Sequence, residues 1–252
     1  MMPPGINKAS APAAESPSTA LSPVYGVLQN ASLVDYPGQL AAVFFLTGCN
    51  FTCGFCHNAQ LMGRADARGL PWAEVEQISR RHRDNWVTGA VITGGEPTLH
   101  PGVFRLVERL REWGFLLKLD TNGSRPEVLA RLVPLVDYVA MDVKFAPADY
   151  PARTGFQNIA ALTESIRLIQ AQARNYEFRT TVIEAWHSPE HIHAIGAWVQ
   201  GAQRHVLQAF IPREELPDPA CRAMPETSAA TLRAYAEILR GYVAQVDIRG
   251  EF

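Results

Sequence analysis

The stretch AAVFFLTGCNFTCGFCHN, residues 41–58, indicates both the fold and the chemistry of this chain. Residues 41–47 are apolar up to the final Thr47 and lie between Gly38 and Gly48. This pattern is typical of a β-strand that is buried on both faces, as in parallel sheets covered by helices. We therefore expect an α/β fold in which polar residues of functional importance follow this strand.

The alternation of apolar runs and helical patterns continues along the chain. Further strands are predicted at residues 90–93, 115–119, 136–143, 177–183 and 206–210, and helices at residues 71–86, 101–114, 125–133, 159–169, 189–199 and 232–242. Short β-like runs occur at residues 24–28 and 246–248. About six strand–helix repeats imply a parallel sheet with right-handed crossovers. An open doubly wound sheet and a complete or partial (β/α) barrel both satisfy this pattern.

Composition narrows the class of protein. A chain of 252 residues with 47% hydrophobic and 19% charged residues is typical of a globular protein with a sizeable core. The net charge of −2 argues against a protein that relies on the charge of a nucleic-acid backbone, so no nucleic-acid partner is expected. No apolar run reaches the roughly 18–20 residues of a membrane helix, so no membrane partner is expected.

The first 23 residues differ in composition from the rest of the chain. They are rich in Pro, Ala and Ser and lack the apolar core of a signal peptide. We predict a flexible tail at residues 1–23, a single domain at residues 24–252, and a cytoplasmic location.

Polar residues follow successive predicted strands at their carboxyl ends, where function gathers in α/β folds. In chain order these are Cys49, then Gly94, Gly95 and Glu96, then Asp120 and Asn122, then Asp142 and Lys144. Arg179 lies within the fifth of these strands, which ends near His187, and Gln208 lies in the sixth. We expect these residues to meet in one site.

The cysteines suggest a metal centre. Cys49, Cys53 and Cys56 fall within eight residues, whereas Cys221 is distant, which does not resemble a disulfide framework. Three thiolates can hold three irons of a cubane cluster and leave the fourth iron open. The alternative is a zinc site completed by His57 or Cys221, although His57 directly follows Cys56 and is awkwardly placed to bind the same ion. Cys221 is otherwise expected to be a free thiol.

These motifs resemble a known family. The Cys-x3-Cys-x2-Cys spacing with Phe55 before the last cysteine resembles the signature of radical S-adenosylmethionine (SAM) enzymes, and residues 94–96 resemble their motif that meets the SAM amino group. Residues 56–58 (CHN), 120–123 (DTNG) and 142–144 (DVK) resemble the glycyl-radical-activating branch. Residues 32–38 (SLVDYPG), 118–123, 138–144 and 177–182 resemble the longer form of the anaerobic ribonucleoside-triphosphate reductase activating protein.

The resemblance implies a partial (β/α)6 TIM-like barrel with a [4Fe-4S] cluster held by Cys49, Cys53 and Cys56, and SAM at the open iron. A flavodoxin or ferredoxin would reduce the cluster, and cleavage of SAM would give a 5′-deoxyadenosyl radical. That radical would remove a hydrogen atom from a glycine of the partner, anaerobic ribonucleotide reductase. The alternative is a radical SAM enzyme that acts on a small molecule or nucleobase, like the deazapurine-synthesising members.

The resemblance also implies contacts to SAM. Gly94 and Gly95 would allow close backbone approach, and Glu96 would accept a hydrogen bond from the SAM ammonium group. Asp120 and Lys144 would touch polar parts of SAM, the alternative being an internal Asp–Lys ion pair. Asn122 belongs to the same set, unless it only forms a turn with Gly123.

The remaining candidates have two interpretations each or none. Phe55 would pack against the cluster or the adenine edge, or simply be a core aromatic residue. Arg179 would either reach the SAM carboxylate or pair with a buried acid, because an unpaired charge in a strand is costly. The sequence assigns no role to His57, His187 or Gln208.

Overall fold

A computed structural model describes residues 20–63 and 68–250. Within these residues, eight strands form one sheet in the order in which they occur along the chain. The strands are β1 (Gly26–Val27), β2 (Ala41–Leu46), β3 (Gly89–Gly94), β4 (Leu116–Thr121), β5 (Tyr138–Asp142), β6 (Tyr176–Val182), β7 (Arg204–Ala209) and β8 (Gln245–Arg249). β1 runs antiparallel to β2, and β2–β8 are parallel to one another.

Helices connect the parallel strands. They are α1 (Ala59–Met62), α2 (Trp72–Asp84), α3 (Val103–Glu112), α4 (Pro126–Leu132), α5 (Tyr150–Thr154), α6 (Ile159–Gln172), α7 (Pro189–Trp198), α8 (Pro219–Arg222) and α9 (Ala229–Leu239). Side chains cap several of them: Asn158, Ser188 and Ser228 each accept a hydrogen bond from a backbone N–H of the first turn. The described helices include none that is both long and apolar enough to cross a bilayer.

The strand order decides between the two predicted architectures. A doubly wound sheet reverses its order at a switch point, whereas here each parallel strand is followed by its neighbour in sequence. The sheet therefore curls in one direction, as in a TIM barrel, and the described strands at its edges, β1 and β8, leave it open between them. The partial barrel is confirmed, and β8 extends the six predicted parallel strands by one.

The inside of the barrel carries both apolar and charged side chains. A small inner cluster consists of Tyr36, Ala41, Val43, Val91, Tyr138 and Ala140. The larger core lies between the outer face of the sheet and the helices, with Phe44, Leu117 and Phe178 among its fully buried members. Near the carboxyl ends of β4 and β5, the inner face carries the charged residues Asp120 and Asp142. That polar region faces the candidate site.

The predicted boundary of the tail needs a correction. The N–H of Ser22 donates to the carbonyl of Leu70 at 2.9 Å, and the N–H of Trp72 donates to the carbonyl of Ala20 at 3.1 Å. Residues 20–23 therefore belong to the folded body, because these backbone bonds fix them to the chain before α2. The rest of the predicted tail, residues 1–19, lies outside the described residues.

Candidate active site

The loop between β2 and α1 carries the three clustered cysteines. Cys49, Cys53 and Cys56 all line a cavity of about 420 Å³ at the carboxyl ends of the strands, and all are free thiols. The backbone N–H of Phe51 donates to the Cys49 sulfur at 3.4 Å. Burial raises the pKa of Cys49 to about 11 and that of Cys53 to about 12. Metal binding at this loop must therefore displace protons.

The donor set fits an iron–sulfur cluster. Three cysteine thiols from one loop face one cavity, and thiolates are the usual ligands of such clusters. No three His, Cys, Asp or Glu side chains within residues 20–63 and 68–250 are grouped to hold a single metal ion. His57 Nε2 instead lies 3.1 Å from the carbonyl oxygen of Ile211. Cys221 is buried in α8 and is not among the residues that line the cavity.

Gly94 and Gly95 bring the end of β3 against the cysteine loop. A Cβ atom on Gly94 would lie 2.1 Å from the carbonyl oxygen of Leu46, and one on Gly95 would lie 2.1 Å from that of Gly48. Gly94 also has a φ of +120°, which side chains disfavour. The close approach that we predicted toward a ligand is therefore made to the backbone of β2 and its loop. Asn58 adds a link, because its amide donates to the Gly94 carbonyl at 3.3 Å.

Glu96 joins the ends of β3 and β4. Its Oε1 accepts from the Thr98 N–H at 3.1 Å, the Thr98 hydroxyl at 2.5 Å and the Thr121 hydroxyl at 2.8 Å, and Oε2 accepts from the Asn122 N–H at 2.6 Å. The residue is fully buried, and burial raises its pKa despite these bonds. A carboxylate has about four acceptor positions. The predicted bond from the SAM ammonium group could therefore use only the second position on Oε2.

Asn122 connects the hydrogen bonds of Glu96 to the cysteine loop. Its amide donates to Asn50 Oδ1 at 3.0 Å and lies 3.8 Å from the sulfur of Cys49. Its own Oδ1 accepts from the N–H of Ser124 at 2.9 Å, and Gly123 follows with a φ of +77°. Asn122 thus forms the turn with Gly123 and also lies beside the first cysteine, while its contact with SAM stays a prediction.

Five charged side chains form an upper network on the inner face of β4–β6 and just after β5. Its members are Lys118, Asp120, Asp142, Lys144 and Arg179. Arg179 Nε donates to Asp142 Oδ1 at 2.9 Å, and Nη1 donates to Asp120 Oδ2 at 3.3 Å. Lys144 donates to Asp142 at 2.8 Å, and Lys118 donates to Asp120. Of the alternatives for Arg179 and Lys144, the structure shows pairing with acids of this network.

Pairing keeps most of the upper network charged. Burial alone would raise the pKa of Asp120 and Asp142, but Arg179 and the neighbouring lysines hold both well below their ordinary values. Burial opposes the charge of Lys144 and Arg179 too, yet Asp142 raises the pKa of Lys144, and Asp120 and Asp142 raise that of Arg179. Only for Lys118 does burial prevail and lower the pKa. The network therefore provides fixed charges at the cavity rather than groups that titrate near neutral pH.

Aromatic residues support the cysteine loop from the side. Phe55 is buried and packs edge-on against Phe145 and Trp186, with ring centroids 5.7 and 6.0 Å apart. His187 stacks on Phe145 at 5.1 Å, and its Nε2 lies 3.0 Å from the carbonyl oxygen of Lys144. Phe55 is thus a core aromatic residue that also lines the cavity. His187 fixes the backbone after β5.

One contact to the cysteine loop has no counterpart in the sequence analysis. The N–H of Asp218 donates to the carbonyl of Gly54 at 3.1 Å, and a Cβ on Gly54 would lie 2.7 Å from the Cβ of Asp218. Asp218 also caps α8. The Asp-Pro pair at 218–219 is a recognisable start of a helix, but nothing local reveals that this helix abuts residue 54.

Comparison with known proteins identifies the family. Residues 43–184 match the radical SAM superfamily. The chain belongs to the radical SAM superfamily. Its members use a [4Fe-4S] cluster and SAM, and both are therefore cofactors of this radical SAM enzyme. The alternative of a structural zinc module is wrong.

Relatives of this radical SAM enzyme differ in their assigned activities. A Methanocaldococcus jannaschii protein, provisionally named a glycyl-radical enzyme activating enzyme, is 33% identical over 228 residues, which cover 86% of this chain and 92% of that protein. A 7-carboxy-7-deazaguanine synthase of Thermococcus kodakarensis is 28% identical over 191 residues, 67% of this chain and 72% of the synthase.

A solved structure supports the fold. The structure of Streptococcus suis SuiB bound to S-adenosylmethionine has a TM-score of 0.62 at 18% identity and covers 82% of this chain. The chain spans about half of SuiB, 48% of its length. At this identity, the likeness establishes the shared barrel alone.

Proposed function

We propose that this radical SAM enzyme is an activase that generates a glycyl radical on a partner enzyme, the anaerobic ribonucleoside-triphosphate reductase. The observation that carries the proposal is the charge of the cavity. Its described lining holds four carboxyl groups, those of Asp35, Glu96, Asp120 and Asp142, and two cationic groups, those of Lys144 and Arg179. Both cations are already paired with carboxylates.

This charge distribution disfavours an anionic small-molecule substrate. A nucleoside triphosphate or a carboxylated precursor requires surplus positive charge, which the described lining does not offer. SAM carries a sulfonium, an ammonium and a carboxylate, so its net positive charge suits an acidic lining. The main chain around a glycine is neutral and requires no countercharge. The cavity thus favours a peptide over a nucleotide as the second reactant.

Sequence similarity supports the same conclusion. The relative named for glycyl-radical activation matches this chain at higher identity and over a larger share of both proteins than the deazaguanine synthase does. The resemblance of residues 32–38, 118–123, 138–144 and 177–182 to the reductase-activating family supports the choice of partner. Within the first of these stretches, Asp35 lines the cavity.

Each residue of the site has its own role in the proposed reaction. Cys49, Cys53 and Cys56 would hold the cluster, which when bound supplies the electron that cleaves the C5′–S bond of SAM to give the 5′-deoxyadenosyl radical. Lys144 uses one of its three N–H donors on Asp142, so two remain for the SAM carboxylate. Arg179 holds Asp142 in place for that contact. The open side of the barrel would admit the partner's glycine segment.

The electron donor we propose is a flavodoxin or ferredoxin. Cys56 is half-buried and His57 is exposed, so this part of the cysteine loop reaches the surface. A donor that docks over it would approach the cluster more closely than it could from the side of the helices.

Electron paramagnetic resonance (EPR) tests the proposed function. Anaerobically reconstituted enzyme, dithionite, SAM and the reductase should yield a glycyl-radical doublet on the reductase, together with 5′-deoxyadenosine. A reductase variant with alanine in place of the radical glycine is the control and should give no doublet. Cleavage of SAM without a doublet, combined with turnover of a deazapurine precursor, would contradict the proposal and favour the small-molecule alternative.

A further inference from the structure

The polar side chains that line the cavity fall into two groups. Those near the cysteine loop and in the upper network have protein partners, including Asn58, Thr93, Glu96 and Asn122. In the part of the chain that the structure describes, three polar side chains of the lining other than the thiols have no hydrogen-bond or ionic partner. These are Asp35, Thr181 and Gln208.

Two of the three lie side by side. Thr181 in β6 and Gln208 in β7 are direct register partners, so their side chains project next to each other from the inner face of the sheet. Arg179 precedes Thr181 by two residues and points to the same face. The side chains of Thr181 and Gln208 are partly exposed. The pair therefore continues the wall of the cavity beyond the upper network, toward the carboxyl ends of the strands.

This pair lies across the cavity from the cysteine loop, on the same wall as Arg179. The cysteine loop follows β2, and Gly95 and Glu96 follow β3, whereas Thr181 and Gln208 lie on β6 and β7. The sheet order places four strands between β2 and β7. A molecule that contacts both the cluster loop and Gln208 must reach across the cavity.

The chemistry of the pair indicates what would cover it. A carboxamide both donates and accepts hydrogen bonds, as does a hydroxyl, and neither carries a charge. Covering such groups without supplying partners costs free energy. A main-chain peptide group offers one donor and one acceptor and matches a carboxamide edge to edge. A glycine, which has no side chain, permits the closest approach of that main chain.

We propose that Gln208, together with Thr181, binds the main chain of the partner's glycine segment and so positions its Cα for hydrogen abstraction. This inference rests on the proposed function. Gln208 is accordingly a substrate-positioning residue on β7, and the peptide's N–H and C=O groups satisfy its free carboxamide. An extended segment entering through the open side of the barrel would pass this wall.

Kinetics of the Gln208→Leu variant test the inference. The variant keeps a side chain of similar size, but the new side chain is apolar and loses both hydrogen bonds. We expect its KM for the reductase to rise about tenfold, the equivalent of one to two net hydrogen bonds. The number of glycyl radicals formed per 5′-deoxyadenosine should fall as well. A glycine segment that is not bound by Gln208 lies less often in the position from which the radical can remove a hydrogen atom. Gln203→Leu is the matched control, since Gln203 is exposed and lies outside the cavity lining.

Two further variants keep the test decisive. Gln208→Glu retains the acceptor and loses the donor, so its KM for the reductase should lie between those of the wild type and Gln208→Leu. Thr181→Val removes the neighbouring hydroxyl at nearly constant volume and should raise the same KM by a smaller factor. It also serves as the test if Gln208→Leu fails to fold, as judged by circular dichroism and iron content.

Several outcomes would overturn the inference. A rise in KM for SAM without a change in KM for the reductase would mean that Gln208 contacts SAM. A variant with wild-type KM for both and a wild-type radical yield would mean that the pair binds neither. A rise in KM for a nucleobase substrate would mean that the pair binds a nucleobase and not a peptide. A wild-type enzyme that forms no glycyl radical would instead contradict the proposed function itself.

Discussion

Two networks of charged side chains inside the barrel consist of similar residues but have different roles. The upper network faces the cavity, whereas a lower network, formed by Tyr138, Glu177, Arg204, Asp247 and Arg249, lies outside its lining. In the lower network, Glu177 accepts from two guanidinium nitrogens of Arg249 at 2.9 and 2.7 Å and from the Tyr138 hydroxyl at 3.0 Å. Arg204 donates to Asp247 at 2.5 Å.

The difference between the networks is one of position. Asp120, Asp142, Lys144 and Arg179 line the cavity, whereas no member of the lower network does. The Glu177–Arg249 pair connects β6 to the edge strand β8 across β7. We infer that the lower network holds the curvature of the sheet and that the upper network presents charge to a ligand. Buried ion pairs are thus structural or functional according to which end of the strands they face.

Loss of the cluster should have the largest effect on activity at the cavity end of the barrel. Cys53→Ala removes one of the three thiols of the described lining, so iron content should fall from about four per chain and 5′-deoxyadenosine should become undetectable. Iron assay and chromatography after anaerobic reconstitution measure both. Cys221→Ala is the matched control, because that thiol is buried in α8 and should leave both values near those of the wild type. Normal SAM cleavage by Cys53→Ala would refute the assignment of the cluster.

Breaking the upper network should affect both binding and stability. Arg179→Met leaves Asp120 and Asp142 without the cation that joins them, and loss of one partner from a buried pair costs about 3–5 kcal/mol. We expect a decrease of that order in the free energy of unfolding, measured with urea, and a rise of about tenfold in KM for SAM.

A second substitution separates charge from packing in the upper network. Arg179→Lys keeps a cation beside Asp120 and Asp142 and should therefore lose less stability than Arg179→Met. If the two variants lose the same free energy of unfolding, the loss comes from packing and not from the missing charge.

The same kind of substitution in the lower network should cost stability alone. Glu177→Gln weakens the bonds to Arg249 and Arg204 and should lower the free energy of unfolding by about 2 kcal/mol. The rate of SAM cleavage per folded molecule should stay within about twofold of the wild type, because Glu177 does not line the cavity. A loss of SAM cleavage at unchanged stability would show that the two networks are not functionally distinct.

Acid sensitivity should arise outside both networks. The paired carboxylates of Asp120, Asp142 and Asp247 have lowered pKa values and remain ionised between pH 7 and 5. His205 lies on the outer face of β7, fully buried, with its side chain 2.9 Å from the Thr180 hydroxyl. Burial lowers the pKa of His205 to about 3.

The sign of the His205 effect follows from linkage. The unfolded chain binds a proton at His205 below its ordinary pKa of about 6.5, whereas the folded chain does so only near pH 3. The stabilisation is therefore present above about pH 6.5 and decreases as pH falls. Between pH 7 and 5, the wild type should lose about 2 kcal/mol more stability than His205→Gln, as measured by urea unfolding at both values. Equal losses in the two proteins would show that His205 is not buried as a neutral ring.

The site was predictable where its residues follow strands directly. The cysteine loop, residues 94–96, Asp120, Asn122, Asp142 and Lys144 were recognisable because the carboxyl ends of parallel strands meet on one side of the sheet. The identity of the acids that pair with Arg179, the unpartnered state of Gln208 and the contact of Asp218 with Gly54 were not recognisable. Each depends on which strands become neighbours and how far they tilt, and a single sequence without a structure does not specify either.

The sequence by itself determined the alternation of elements, the three-thiol loop and the set of charged residues, because these depend on local periodicity and spacing. The tertiary structure decided the sequential strand order, the inclusion of residues 20–23 in the body, and the division of the inner charges into two networks. The physical reason is that burial and pairing are properties of neighbours distant in sequence. Only the curled sheet determines whether an aspartate faces an arginine, a cavity or solvent.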